Sequence, residues 1–188
     1  MNIFILDNDP IIAAQLQCDK HVPKMVVESA QMLSTAHRVL DGKLTRKPSK
    51  SGKTMVKYWD LYEGQDDLEA ELLYYKAVHV GHPCTVWTME SNSNYNWHYQ
   101  HFIALCEEYT YRYGKLHKTA RDLAAALYSA PRNIPKGPMT QFALAMKSNP
   151  ECMFEDAVKS YRAFYHTKQE RFKMSWTKRS TPKWFQYV

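Results

Sequence analysis

The chain reads as a mainly α-helical protein: a compact helical domain with a short N-terminal strand and a basic arm, flexible or hairpin-like. Three observations predict this. Apolar residues recur at helical spacing over 24–40 and again from Tyr95 to Tyr113. Prolines stand where helices begin, at Asp9-Pro10 and at Pro83. The length of 188 residues, with 45 % apolar and 23 % charged residues, suits one domain spanning 1–188 that buries a core without metal or disulfide staples.

The elements follow in order. Residues 2–7 (NIFILD) read as a short strand or extended start. Asp9 is an N-cap and Pro10 a first-turn residue, so 10–20 reads as a helix. Pro23 either kinks that helix or opens the next, which Met25, Val26, Ala30, Met32, Leu33, Ala36 and Leu40 carry to residue 40. Residues 41–57 change character: Lys43, Arg46, Lys47, Lys50, Lys53 and Lys57 face a single acid, Asp41, among Pro48, Gly52 and several Ser/Thr residues. This is an arm or hairpin tip, either solvated or in contact with phosphates. Residues 60–72 form an acidic turn leading into a short helix, and 74–83 a β-rich run or connector. Pro83 starts a helix, Ser91 to Asn94 break it, and Gly114 ends the aromatic helix that follows. A helix is expected over about 119–129, a loop over 131–140, a short helix near 140–147 and a longer one near 151–172. The tail 173–188 mixes Lys173, Lys178, Arg179 and Lys183 with Trp176, Trp184, Phe185 and Tyr187.

The formal net charge is +6 and the pI about 9.0, a balance that favours polyanionic partners such as nucleic acid or nucleotides. Aromatic residues make up 13 %, enough to line a core and leave rings to stack on bases. No apolar run reaches the ~18–20 residues of a spanning helix, so no membrane partner is expected. The run Ile3 to Leu6 is too short for an export signal, which predicts a cytoplasmic protein. Cys18, Cys84, Cys106 and Cys152 stand far apart and read as reduced core thiols. No cofactor is implied, and self-association is left open.

Four clusters could carry chemistry. In CDKHVPKMVVESAQ (18–31), Lys24, Glu28 and Gln31 share one helical face, with Asp19, Lys20 and His21 just before it. A lysine beside a carboxylate can bind phosphate, and the carboxylate can act as acid or base near a sugar. The same pattern also makes an ordinary solvated Glu–Lys face. In HVGHPCTVW (79–87), His82 marks a turn at the mouth of a pocket, and Trp87 is a core residue or a stacking wall. In NYNWHYQHF (94–102), Trp97 could stack, while His98 and His101 stand at i, i+3. Neither cluster has the spacing of a structural zinc site, so no metal is expected. In CEEYTYRYGKLH (106–117), Arg112 among tyrosines could hold a phosphate or a base. The GKT at 52–54 is not a phosphate loop, because Lys47 occupies the position that needs glycine.

The opening string FILDNDPIIAAQLQCDKHVPKMVVESAQML resembles the pyrimidine-dimer DNA glycosylases of the endonuclease V type. Phe4, Leu6, Asp19, Lys20, Lys24, Val27, Glu28, Gln31 and Leu33 carry the resemblance. A second block, His82, Pro83, Trp87, Ala104, Cys106, Glu107 and Tyr109, is similar too. With these two blocks the chain also resembles small proteins of tailed phages. The resemblance implies a compact helical protein that acts on damaged or modified DNA as a glycosylase/AP lyase. An N-terminal α-amine attacks the sugar C1′ to give a Schiff base, assisted by a carboxylate. An α-amine has an ordinary pKa near ~8, which leaves part of it neutral and nucleophilic. Here the implied nucleophile is the amine of Met1, or a lysine such as Lys20 or Lys24, with Glu28 as the carboxylate. Lys20, His21, Gln31, His82 and Arg112 would hold phosphate or base, and Trp87 or Trp97 would stack on an extruded base. The family exposes a small second residue after Met removal, whereas this chain begins Met1-Asn2. The alternative is a phage nucleotide-binding protein that sequesters a nucleotide second messenger against host defence without cleaving it.

Overall fold

A computed structural model describes residues 1–61 and 68–187. Among them are seven α-helices: α1 (Pro10–Gln15), α2 (His21–Asp41), α3 (Leu68–Leu73), α4 (Pro83–Glu90), α5 (Asn92–Tyr113), α6 (Lys118–Leu123) and α7 (Ala157–His166). The one sheet among the described residues pairs β1 (Lys43–Pro48) with β2 (Met55–Asp60) in antiparallel register. Of the acidic stretch 60–72, residues 62–67 lie outside the described residues, and the short helix expected at its end is α3.

The long helices α2 and α5 form the centre. They pack on each other, with α1 against α5 and α4 against both. The expected caps are present. Asp9 Oδ1 accepts from Ile11 N and Ile12 N at 2.8 and 3.0 Å and starts α1. Pro23 lies in the first turn of α2, so it opens that helix rather than kinking its predecessor. His82 Nδ1 accepts from Cys84 N and caps α4, which begins at Pro83. The break between α4 and α5 narrows to Ser91, whose hydroxyl accepts from Asn94 N. Gly114 closes α5 at φ +67°, where a side chain would strain the backbone.

Several expectations are corrected. Residues 2–7 form no strand. They run as a buried irregular coil, with Phe4 at φ +58° and Leu6 N bonded to Phe4 O at 2.9 Å. A coil inside a core has no ladder partner, so side chains must satisfy its carbonyls. Gln17 Nε2 donates to Ile3 O, Arg162 Nε to Leu6 O and Trp97 Nε1 to Asn8 O, while His101 Nδ1 bonds Pro10 O. Of the two alternatives for 74–83, the connector holds: residues 74–79 have no strand pairing. The helix expected over 119–129 stops at Leu123. Beyond it the hydroxyls of Tyr99, Tyr74 and Tyr95 donate to the carbonyls of Ala124, Ala126 and Leu127 from outside the helix. Residues 140–147 are not helical either. They form a strap held by Asn94 on Thr140, Tyr161 on Ala143 and Asn2 on Ala145. The long C-terminal helix shortens to α7, capped by Asp156 Oδ1 on Lys159 N.

The tail packs onto the body. Trp176 and Phe185 are buried, and Arg179 donates twice to the Glu108 carboxylate. All four cysteines are buried and unpaired. No helix of the described residues is long and apolar enough to cross a membrane.

Candidate functional site

The buried N-terminal coil delivers the chain's first residues to the middle of α2. Met1 is anchored by its side chain, which is 4 % exposed and accepts from the Thr85 hydroxyl on α4 at 3.8 Å through sulfur. Asn2 is buried. Its Oδ1 accepts from Ile3 N and Phe4 N, and its Nδ2 donates to Ala145 O, so its side chain winds the coil and ties it to the strap. Phe4 stays in the left-handed region because its ring is held by His21, Phe164 and Tyr165. The outcome is an amine on a carboxylate. The Met1 nitrogen lies 3.7 Å from Glu28 Oε2, and Asn2 N donates to the same oxygen at 3.0 Å. The other carboxylate oxygen pairs with Lys24 Nζ at 3.3 Å, one turn earlier on α2.

His82 completes this group from the start of α4. Burial first, and then the positive Met1 amine and His79, hold its ring below the ordinary histidine value. Met1, Lys24 and Glu28 are therefore brought together, and His82, from a separate cluster in the sequence, joins them. Gln31 follows Glu28 by one turn on the same half-buried face.

Four residues expected to hold phosphate or base, or to stack on a base, are employed otherwise: His21, Trp87, Trp97 and Arg112. His21 is buried, stacked on Phe4 at 4.6 Å and bonded to the Tyr165 hydroxyl at 2.7 Å. Burial, then Lys24 and Lys168, push its ring down to about 3, so at neutral pH it carries no charge for a phosphate. Trp87 and Trp97 are not stacking walls open to a base. They pack on each other edge to face and on Phe142, 1 % and 7 % exposed. Arg112 is fully engaged, donating to Glu108 at 2.7 Å, Asp19 at 3.0 Å and Gln15 O at 3.0 Å from a side chain with no exposed surface. Asp19 is structural too: burial alone would raise its carboxyl, but bonds from Thr177, Ser175 and Arg112 hold it below the ordinary range.

His98 and His101 do not form a metal pair. His98 Nδ1 bonds the Thr88 hydroxyl, and the two nitrogens of His101 meet Gln17 and Pro10 O. Among the described residues no group of three or more His, Cys, Asp or Glu side chains is placed to hold a metal ion. The thiols are poor nucleophiles, since burial raises Cys84 to about 11 and Cys106 to about 12.

Sequence reasoning missed the cations that α7 and the 3₁₀ turn after it (Thr167–Glu170) bring to the start of α2. Lys168 is 9 % exposed, and its Nζ lies 3.3 Å from the centre of the Phe164 ring. It has no carboxylate partner among the described residues and bonds only the Thr167 hydroxyl, at 3.5 Å. Burial, then the charges of Arg171 and Lys24, push it down to about 8. Lys20 lies over Phe172, whose ring meets His21 edge to face at 5.4 Å. Lys20 and Lys168 thus each lie on an aromatic ring, with the charges of Lys24 and Arg171 acting on Lys168, and only tertiary packing reveals this, because Lys24 and Lys168 stand 144 positions apart. A scan of protein-family models and searches of curated proteins and of solved structures each return no match for this chain.

Proposed function

We propose that the Met1 amine is a nucleophile for aldehydic sugar carbons, and that the protein is an AP lyase or glycosylase-type enzyme on damaged or modified DNA. The observation that carries the reading is the amine held 3.7 Å from a carboxylate that is 14 % exposed. An ammonium must lose a proton before it attacks, and Glu28 Oε2 is the acceptor within reach. On an abasic sugar the amine nitrogen bonds to C1′, and the aldehyde oxygen takes up a proton to give a carbinolamine. A further proton lets that hydroxyl depart as water, which leaves the imine. Glu28 holds the proton between these steps, and the Asn2 N–H donated to Oε2 fixes the carboxylate's orientation. Lys24, with Lys20, Lys168 and Arg171 beyond it, supports an adjoining phosphate.

The test is borohydride trapping on an abasic duplex, with the adduct mapped by mass spectrometry. The reading expects a covalent adduct on the Met1 nitrogen, lost when that nitrogen is acetylated. An adduct on Lys24 or Lys168, or none, overturns it. The nucleotide-sequestering alternative draws on the same four cations and the rings of Phe164 and Phe172. Its mark is a large thermal shift with one small nucleotide and none with duplex.

A further inference from the structure

Away from the amine, the β1–β2 hairpin and the connector behind it enclose a groove of about 410 Å³ lined by Lys47, Lys50, Lys57, Lys76 and Tyr58. Lys47 is paired with Asp60 and lies over the Tyr58 ring at 4.1 Å. Lys50, Lys57 and Lys76 are exposed, and among the described residues none has a carboxylate partner. The register also sets Arg46 directly opposite Lys57. Like charges across a strand pair are destabilising, and a bound anion relieves them. The groove is rigidly based. Arg38 of α2 donates to the carbonyls of Trp59, Tyr74 and Tyr75, which ties hairpin and connector to the same helix that carries Glu28.

The connector gives the groove its relation to the amine. Tyr75 meets Arg38, Val78 exchanges bonds with Thr35, and His82 sits by Met1 and Glu28. As the connector runs forward, α2 is read backward, from residue 38 to residue 28. Ten residues of helix span about 15 Å. That offset, taken along the α2 axis between Arg38 and Glu28, corresponds to about four base-pair steps, given one phosphate per ~3.4 Å on each strand.

We infer that the groove holds the phosphate backbone of the nucleic acid whose sugar meets the amine, about four base pairs from the reacting position. This rests on the proposed function for the amine, and it narrows the substrate from any abasic sugar to a polymer that extends toward the hairpin. Lysines on a two-stranded edge can also serve only to prevent strand pairing between molecules, and that role requires no duplex.

The experiment compares wild type with the triple variant Lys50→Gln/Lys57→Gln/Lys76→Gln on abasic duplexes, measuring binding against salt and trapping by borohydride. These side chains have no described ion-pair partner and Lys57→Gln removes the repulsion with Arg46, so a Tm equal to or slightly above that of wild type is expected. The salt slope should fall by about 0.9 for each lost phosphate contact, two to three in total. Wild type should favour a lesion with at least four base pairs on the hairpin side, and the variant should lose that preference. Both proteins should trap a free deoxyribose-type aldehyde equally. An unchanged slope, or loss of binding to heparin but not to duplex, overturns the inference. A lowered slope with no adduct in either protein would sink the lyase reading and leave the groove standing.

Discussion

Replacing Arg38 should detach the hairpin from the helical body. Its side chain is 1 % exposed and its guanidinium makes five bonds. Four go to the carbonyls of Trp59, Glu71, Tyr74 and Tyr75, and one to the Glu71 carboxylate at 2.9 Å. In Arg38→Met the apolar stem is kept and all five donors vanish. The Glu71 carboxylate still accepts from Leu61 N and the Tyr58 hydroxyl. The carbonyls around the end of α3 have no such reserve. Breaking a buried, hydrogen-bonded ion pair from one side costs about 3–5 kcal/mol. For a chain of this size that is a fall in Tm of roughly 6–20 °C. Arg38→Lys supplies at most three donors from one point and should recover only part of the loss. Urea unfolding followed by circular dichroism measures both. Arg121→Ala, which removes an exposed pair with Asp122, should leave Tm where it is. A loss below about 1 kcal/mol for Arg38→Met would refute the view that this arginine anchors the hairpin.

Two further outcomes concern the fold. His21, His37 and His101 are buried, and their rings are pushed down to about 3, 4 and 4 from 6.5. The folded-state value is the lower one, so below pH 6.5 the unfolded chain binds more protons and stability falls with pH. At pH 5 the loss is about 2 kcal/mol for each ring, and a sharp decline in urea midpoint between pH 6.5 and 4 is expected; a flat profile would contradict the buried neutral state of these rings. The glycines separate strain from space. Gly114→Ala meets open space at φ +67° and should cost about 1 kcal/mol, whereas a Cβ at Gly42 would lie 2.4 Å from Arg38 O and should cost more. The reverse order in a denaturation series would show that the α2–β1 junction yields easily.

Much of the helical frame was legible from short-range chemistry. Asp9-Pro10, His82-Pro83 and Gly114 mark helix ends through capping and φ preference, and those rules act within a few residues. The pairing of Lys24 with Glu28 is also local, one helical turn. The coil over residues 2–7 was not legible. Its apolar string suits a strand, yet no second strand stands beside it, and Gln17, Trp97, His101 and Arg162 take the ladder's place. The same fact explains the misplaced site residues. Trp97 and His21 look like ligand groups in sequence because they are polar-tipped rings, and the core uses those tips for its own carbonyls and hydroxyls. Arg112 satisfies two carboxylates that lie 89 residues apart in sequence, Asp19 and Glu108. Lys168 gave no signal, since burial is what pushes it down first, and Lys24, which with Arg171 repels it, stands 144 positions away.

The central claim is that the Met1 amine and Glu28 act as one unit. The direct measurement is the rate of borohydride-trapped adduct on an abasic duplex for wild type and Glu28→Gln. The variant keeps an acceptor for Asn2 N but cannot take the amine proton. A rate lower by roughly 10²-fold or more, with the wild-type adduct on the Met1 nitrogen, is the predicted result. Equal rates, or an adduct on another amine, would contradict the account.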